Sequence, residues 1–121
     1  MKSKYDTCTN DKVKVSYLLY AMLIELGLSP SNKGTIYLRE IIEYTILNNL
    51  YDYSYKDILK LFANENNCDL EKIRTNIKNC LYRIDYTKSK KNFNKYLNLD
   101  FDTYYLSPSK FINIVALKYN S

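Results

Sequence analysis

Two glycines and two prolines are all that interrupt this chain of 121 residues. An all-β sandwich or barrel needs a tight turn every ten residues or so, and each turn draws on Gly, Pro, Asn or Asp. Here apolar residues instead return at three- and four-residue spacing over long stretches, the period of a helix with one buried face. Apolar residues make up 46% of the chain and charged residues 26%, which is enough apolar surface for a core and too little charge for disorder. The length suits one domain. The expected fold class is all-α, a six-helix domain.

Residues 1–11 are polar and are expected to form a flexible N-terminal arm, with the folded domain spanning 12–121. The first helix is expected from about Val13 to Leu26, burying Val15, Leu18, Leu19, Met22, Leu23 and Leu26, with Gly27 ending it. "LSPSNKG" is a turn in which Gly34 acts as a hinge. A second helix from about Thr35 to Leu50 buries Ile36, Leu38, Ile41, Ile42, Thr45, Ile46 and Asn49, and Arg39 with Glu40 forms a structural polar pair. Ser54 caps a third helix carrying Tyr55, Ile58, Leu59 and Phe62, and Asp69 caps a fourth carrying Leu70, Ile73, Ile77, Cys80, Leu81 and Ile84. Ser89 is expected to cap a fifth with Phe93, Tyr96 and Leu97. Ser107 and Pro108 start a sixth that buries Phe111, Ile114, Val115 and Tyr119.

Several kinds of chemistry find no support. The chain has no histidine, so acid–base catalysis by that side chain is excluded, and no P-loop, dinucleotide or nucleophile-elbow motif occurs. No catalytic residue is assigned and the expectation is a non-enzyme. Cys8, Cys68 and Cys80 stand singly, as core or surface residues rather than a zinc set, so neither metal nor cofactor is expected. The N-terminus lacks the basic-then-apolar order of an export signal and no stretch is apolar enough to span a bilayer, which leads to an expected cytoplasmic location without membrane attachment.

Charge is distributed unevenly. Between Lys72 and Lys95, eight cations (Lys72, Arg74, Lys78, Arg83, Lys88, Lys90, Lys91 and Lys95) accompany one acid, Asp85, and the rest of the chain is slightly acidic. A basic stripe is the footprint of phosphate-backbone binding, and a solvated helix face is the plainer account of it. The third and fourth helices, joined by a short turn, read as a helix-turn-helix. At 100° per residue the fourth turns Lys72, Thr75, Asn79 and Tyr82 away from its apolar stripe, with Lys78 and Arg83 on the flanks and Arg74 nearer the core edge. Lys pairs with guanine, Asn with adenine and Thr with the thymine methyl. Lys72, Thr75, Lys78 and Asn79 are therefore the candidate base readers, and Arg74, Arg83, Lys88, Lys90 and Lys91 the candidate phosphate ligands.

The stretch "ELGLSPSNKGTIYLREII", through Gly27, Lys33, Gly34, Tyr37, Leu38, Arg39 and Glu40, resembles the start of the C-terminal DNA-binding effector domain of the stage zero sporulation protein A family. "YKDILKLFANENNCDLEKIRTNIKNCLYRI" is similar to that family's helix-turn-helix and "SPSKFINIVALKYN" to its last helix, so the likeness runs from about Val13 onward. It implies a fourth helix lying in the major groove, TGTCGAA-type boxes as targets, homodimers on tandem sites, and contact with the sigma subunit of RNA polymerase. The family's receiver half has no counterpart here, which implies a stand-alone effector. The fourth helix also departs from the family's arginine-rich run: Lys72 and Lys78 stand where it has arginine, Arg74 where it has an acid and Thr75 where it has a base-reading arginine. Lysine lacks arginine's bidentate fork, so a different box is expected.

The leading expectation is a sequence-specific double-stranded DNA-binding protein acting in transcription regulation, and the resemblance implies a place in sporulation. Two other readings stay open. One is a DNA-binding accessory protein of a plasmid or phage; the other is an antagonist that binds a full-length sporulation regulator or RNA polymerase without touching DNA.

Overall fold

The computed structural model describes residues 2–98 and 107–120, with side chains at 14–85, 89–98 and 107–119. Among these the fold is all-α, with six helices and no strand: α1 (Lys2–Glu25), α2 (Lys33–Leu47), α3 (Tyr55–Asn66), α4 (Leu70–Tyr82), α5 (Tyr86–Leu97) and α6 (Pro108–Asn120). None of them is long and apolar enough to cross a membrane.

The helix ends follow from local chemistry. Asn32, Ser54 and Asp69 have extended backbones, and each side chain accepts a hydrogen bond from an amide of the first turn: Gly34 N at 2.8 Å, Asp57 N at 3.1 Å and Glu71 N at 3.0 Å. Ser107 does the same for Lys110 N at 3.3 Å, with Pro108 as the first helical residue. Helix α1 ends in a Schellman turn: Gly27 lies at φ 101°, its N–H donates to Ile24 O, and Leu28 N–H donates to Leu23 O. Asn49 at φ 55° closes α2 in the same way, with Leu50 N–H donating to Thr45 O at 2.9 Å. Asn67, also at φ 55°, closes α3 and is the first of the three residues that separate it from α4.

Helix α2 is the centre of the domain. It packs most extensively on α4, then on α1 and α6, and more lightly on α3. Leu38, Ile41 and Ile42 are fully buried along it, and Thr45 bonds back to Ile41 O at 2.8 Å. Around it close Leu19, Leu23 and Leu26 of α1 and its end, Ile58, Leu59 and Phe62 of α3, Ile73, Ile77 and Leu81 of α4, Phe93 of α5, and Phe111, Val115 and Ala116 of α6. Each large apolar side chain so buried contributes about 1.5–3 kcal/mol.

The structure corrects several expectations. Helix α1 begins at Lys2, not near Val13, so the segment read as an arm is helical: residues 2–12 hold no Gly or Pro to stop a helix running on, although they lack an apolar stripe. Cys8 lies outside the described side chains. Ile36 and Asn49 are exposed, Ile36 because it lies on the far side of α2 from the Leu38–Ile41–Thr45 row, Asn49 because it sits past the helix end. Leu18 is also exposed. Ser89 is a buried residue within α5, which starts three residues earlier; its N–H donates to Asp85 O. Arg39 does pair with Glu40 (3.8 Å), and it also pairs with the buried Glu43 (3.4 Å) and donates to the hydroxyl of Ser16 on α1, which ties α2 to α1.

Gly34 is not a hinge. It lies in the first turn of α2, and a Cβ there would stand 2.2 Å from Asn76 O and 2.4 Å from Cys80 Cβ, both on α4. Backbone cannot yield as a flexible side chain does, so this glycine sets how closely α2 and α4 approach. Gly34→Ala is expected to destabilise the fold by about 1–3 kcal/mol, read from urea unfolding, whereas Ile36→Ala, at an exposed site, should shift stability by about 0.5 kcal/mol or less. Equal midpoints for wild type and Gly34→Ala would contradict this packing.

Candidate nucleic-acid interface

Helix α4 presents two opposite faces. Ile73, Ile77 and Leu81 are fully buried and Cys80 and Ile84 nearly so, which matches the apolar stripe of the sequence. On the inner side Cys80 Sγ lies 3.1 Å from Thr35 Oγ1 of α2, a buried polar contact that fixes the rotation of α4 about its own axis. Burial pushes the Cys80 thiol above its ordinary value; the Thr35 contact and the charge of Arg83 pull weakly the other way.

Lys72, Thr75, Lys78 and Asn79 are all exposed on the outer side, together with Tyr82, which is 75% exposed. None of those four side chains forms a hydrogen bond or ion pair with another described residue. Asn76, at the edge of this face, donates to Lys72 O at 2.8 Å and is thereby committed to its own helix. The structure thus brings together all four candidate base readers on one open surface of a helix whose other side is locked into the core.

The candidate phosphate ligands fall in three places. Arg83, at the end of α4, is exposed on the edge nearest α2. Arg74, on the opposite edge of α4, borders the core beside Leu59 and Leu70, is 54% exposed and pairs with Glu71 at 3.1 Å. Lys90 and Lys91 are exposed on α5, which packs on α6 and α1. The side chain of Lys88 lies outside the described residues.

Two lysines that charge counting passed over border α4. Lys33, the first residue of α2, lines a groove of about 410 Å³ with Ser29, Ser31, Asn32, Asn76 and Arg83. Lys56, in the first turn of α3, lines one of about 310 Å³ with Tyr55, Leu59, Leu70 and Arg74. Both lie outside the 72–95 segment, so only the packing of α2 and α3 on α4 reveals them. The capping residues just before each helix offered a partial signal, since a residue beside a cap is held near a helix end.

Carboxylates collect elsewhere. Glu40, Glu43 and Glu65 share a groove of about 570 Å³ between α2 and α3 with Arg39, Tyr44 and Phe62, and the Tyr44 hydroxyl donates to Glu65. No group of three His, Cys, Asp or Glu residues suited to a metal ion occurs among the described residues. Comparison with known proteins finds no family model, no curated protein and no solved structure that matches this chain.

Protonated Cys80 is favoured by the fold, so its contribution is full below the thiol's ordinary value and is lost as pH rises through the raised, folded one. The stability difference between wild type and Cys80→Ala is therefore expected to narrow as pH climbs into the alkaline range, measured by urea midpoints. Cys80 should also resist iodoacetamide in the native state while exposed Cys68 reacts. A pH-independent difference, or equal alkylation rates, would contradict the burial.

Proposed function

We propose that this chain is a sequence-specific double-stranded DNA-binding protein, a transcriptional regulator in which α3 and α4 act as a helix-turn-helix and α4 enters the major groove. The observation that carries the reading is the outer face of α4: Lys72, Thr75, Lys78 and Asn79 are exposed and unbonded among the described residues, while the inner face is buried against α2. A helix of 10–12 Å diameter fits a major groove about 12 Å wide, and these side-chain types hydrogen-bond or contact the edges of guanine, adenine and thymine. The three-residue turn between α3 and α4 is of the length that the motif uses. Arg74, Arg83, Lys90 and Lys91 supply charge for the phosphates.

The likeness to the sporulation effector domains supports the same reading. It brings with it tandem homodimers on DNA and a contact with the sigma subunit of RNA polymerase as the partners to look for. The substitution of lysine and threonine on α4 points to a box of its own.

Selection of bound duplexes from a random pool tests this directly. A defined motif is expected, and on that motif Lys78→Ala and Asn79→Ala should each cost about 1–3 kcal/mol of discrimination. Lys90→Ala should weaken specific and random DNA alike and lower the salt slope by about 0.9. Equal losses on both kinds of DNA for all three variants would overturn the assignment of the base readers. Failure to shift any duplex at low salt would overturn DNA binding and favour the antagonist of a regulator or polymerase.

A further inference from the structure

A helix that fills the major groove has one phosphate strand beyond each of its long edges. Along α4 both edges are built alike. On one, Arg83 and Lys33 line the groove between α4 and the start of α2; on the other, Arg74 and Lys56 line the groove between α4 and the start of α3. Each groove therefore joins one cation from α4 with one from a neighbouring helix, and no carboxylate lines either. Arg74 is paired with Glu71 on the α4 surface. Lys33, Lys56 and Arg83 have no ion pair among the described residues.

We infer that Lys33 and Lys56 are phosphate ligands of the DNA, one on each strand, forming with Arg83 and Arg74 two clamps that straddle α4 and hold it in the groove. The inference rests on the DNA-binding reading and adds to it two residues outside the basic segment and a division of labour between strands. Scaffold geometry supports it. The backbones carrying the lysines are fixed beside capping residues, Asn32 before Lys33 and Ser54 two residues before Lys56. The approach of Gly34 to Asn76 and Cys80 holds the Lys33 end of α2 against α4. The acidic groove that contains Glu40, Glu43 and Glu65 is lined by neither lysine.

The test compares wild type with Lys33→Ala, Lys56→Ala and the double variant on the selected duplex and on random duplex, from low to moderate salt. Each single change is expected to lower the slope of log affinity against log salt by about 0.9 and the double change by about 1.8, with the ratio of specific to random binding unchanged. Lys33→Arg and Lys56→Arg should retain the wild-type slope, and far-UV circular dichroism with urea midpoints should match wild type, since both sites are exposed. Wild-type binding with an unaltered slope in the alanine variants would overturn the clamps alone. So would a changed ratio of specific to random binding. Absence of wild-type binding to any duplex would overturn the DNA reading and the clamps with it.

Discussion

The arrangement of this domain depends on one close approach. At Gly34, α2 comes so near to α4 that any Cβ would penetrate the Asn76 carbonyl and the Cys80 side chain. One residue on, Thr35 meets Cys80 through a buried hydroxyl–thiol contact. The first fixes the distance between the helices and the second fixes which face of α4 turns inward. With Ile73, Ile77 and Leu81 drawn into the core, Lys72, Thr75, Lys78 and Asn79 have nowhere to go but outward. The face proposed to read DNA is thus set by contacts on its opposite side.

Charge follows the same division. Cations from α2, α3 and α4 gather along the two edges of α4, whereas Glu40, Glu43 and Glu65 gather in a separate groove. On the proposed DNA-binding reading, the first surface attracts the phosphate backbone without any single strong pair, and the second does not. The ion pairs within the protein serve structure: Arg39 ties α2 to α1 through Ser16 and to itself through Glu43, and Arg74 with Glu71 stays on one exposed helix.

Much of the fold was legible in the sequence because it rests on short-range rules. The three- and four-residue spacing of Ile73, Ile77, Cys80 and Leu81 marks an inner face, and Ser54, Asp69 and Ser107 mark helix starts by side-chain chemistry alone. What escaped depends on tertiary contact. Gly34 reads as a loop hinge until α4 is seen against it, and Ser89 reads as a cap until its burial next to Gly27 is seen. Lys33 and Lys56 belong to no basic run; they border α4 only because three separate helices converge there. The helical start at Lys2 lacks an apolar stripe, so periodicity had nothing to detect.

Amide chemical-shift mapping tests the central claim most directly. On titration of the labelled protein with a duplex taken from the random pool, the largest perturbations are expected along α4 from Lys72 to Asn79 and at the adjoining starts of α2 and α3. Perturbations centred on the groove of Glu40, Glu43 and Glu65, or none at low salt, would contradict the account.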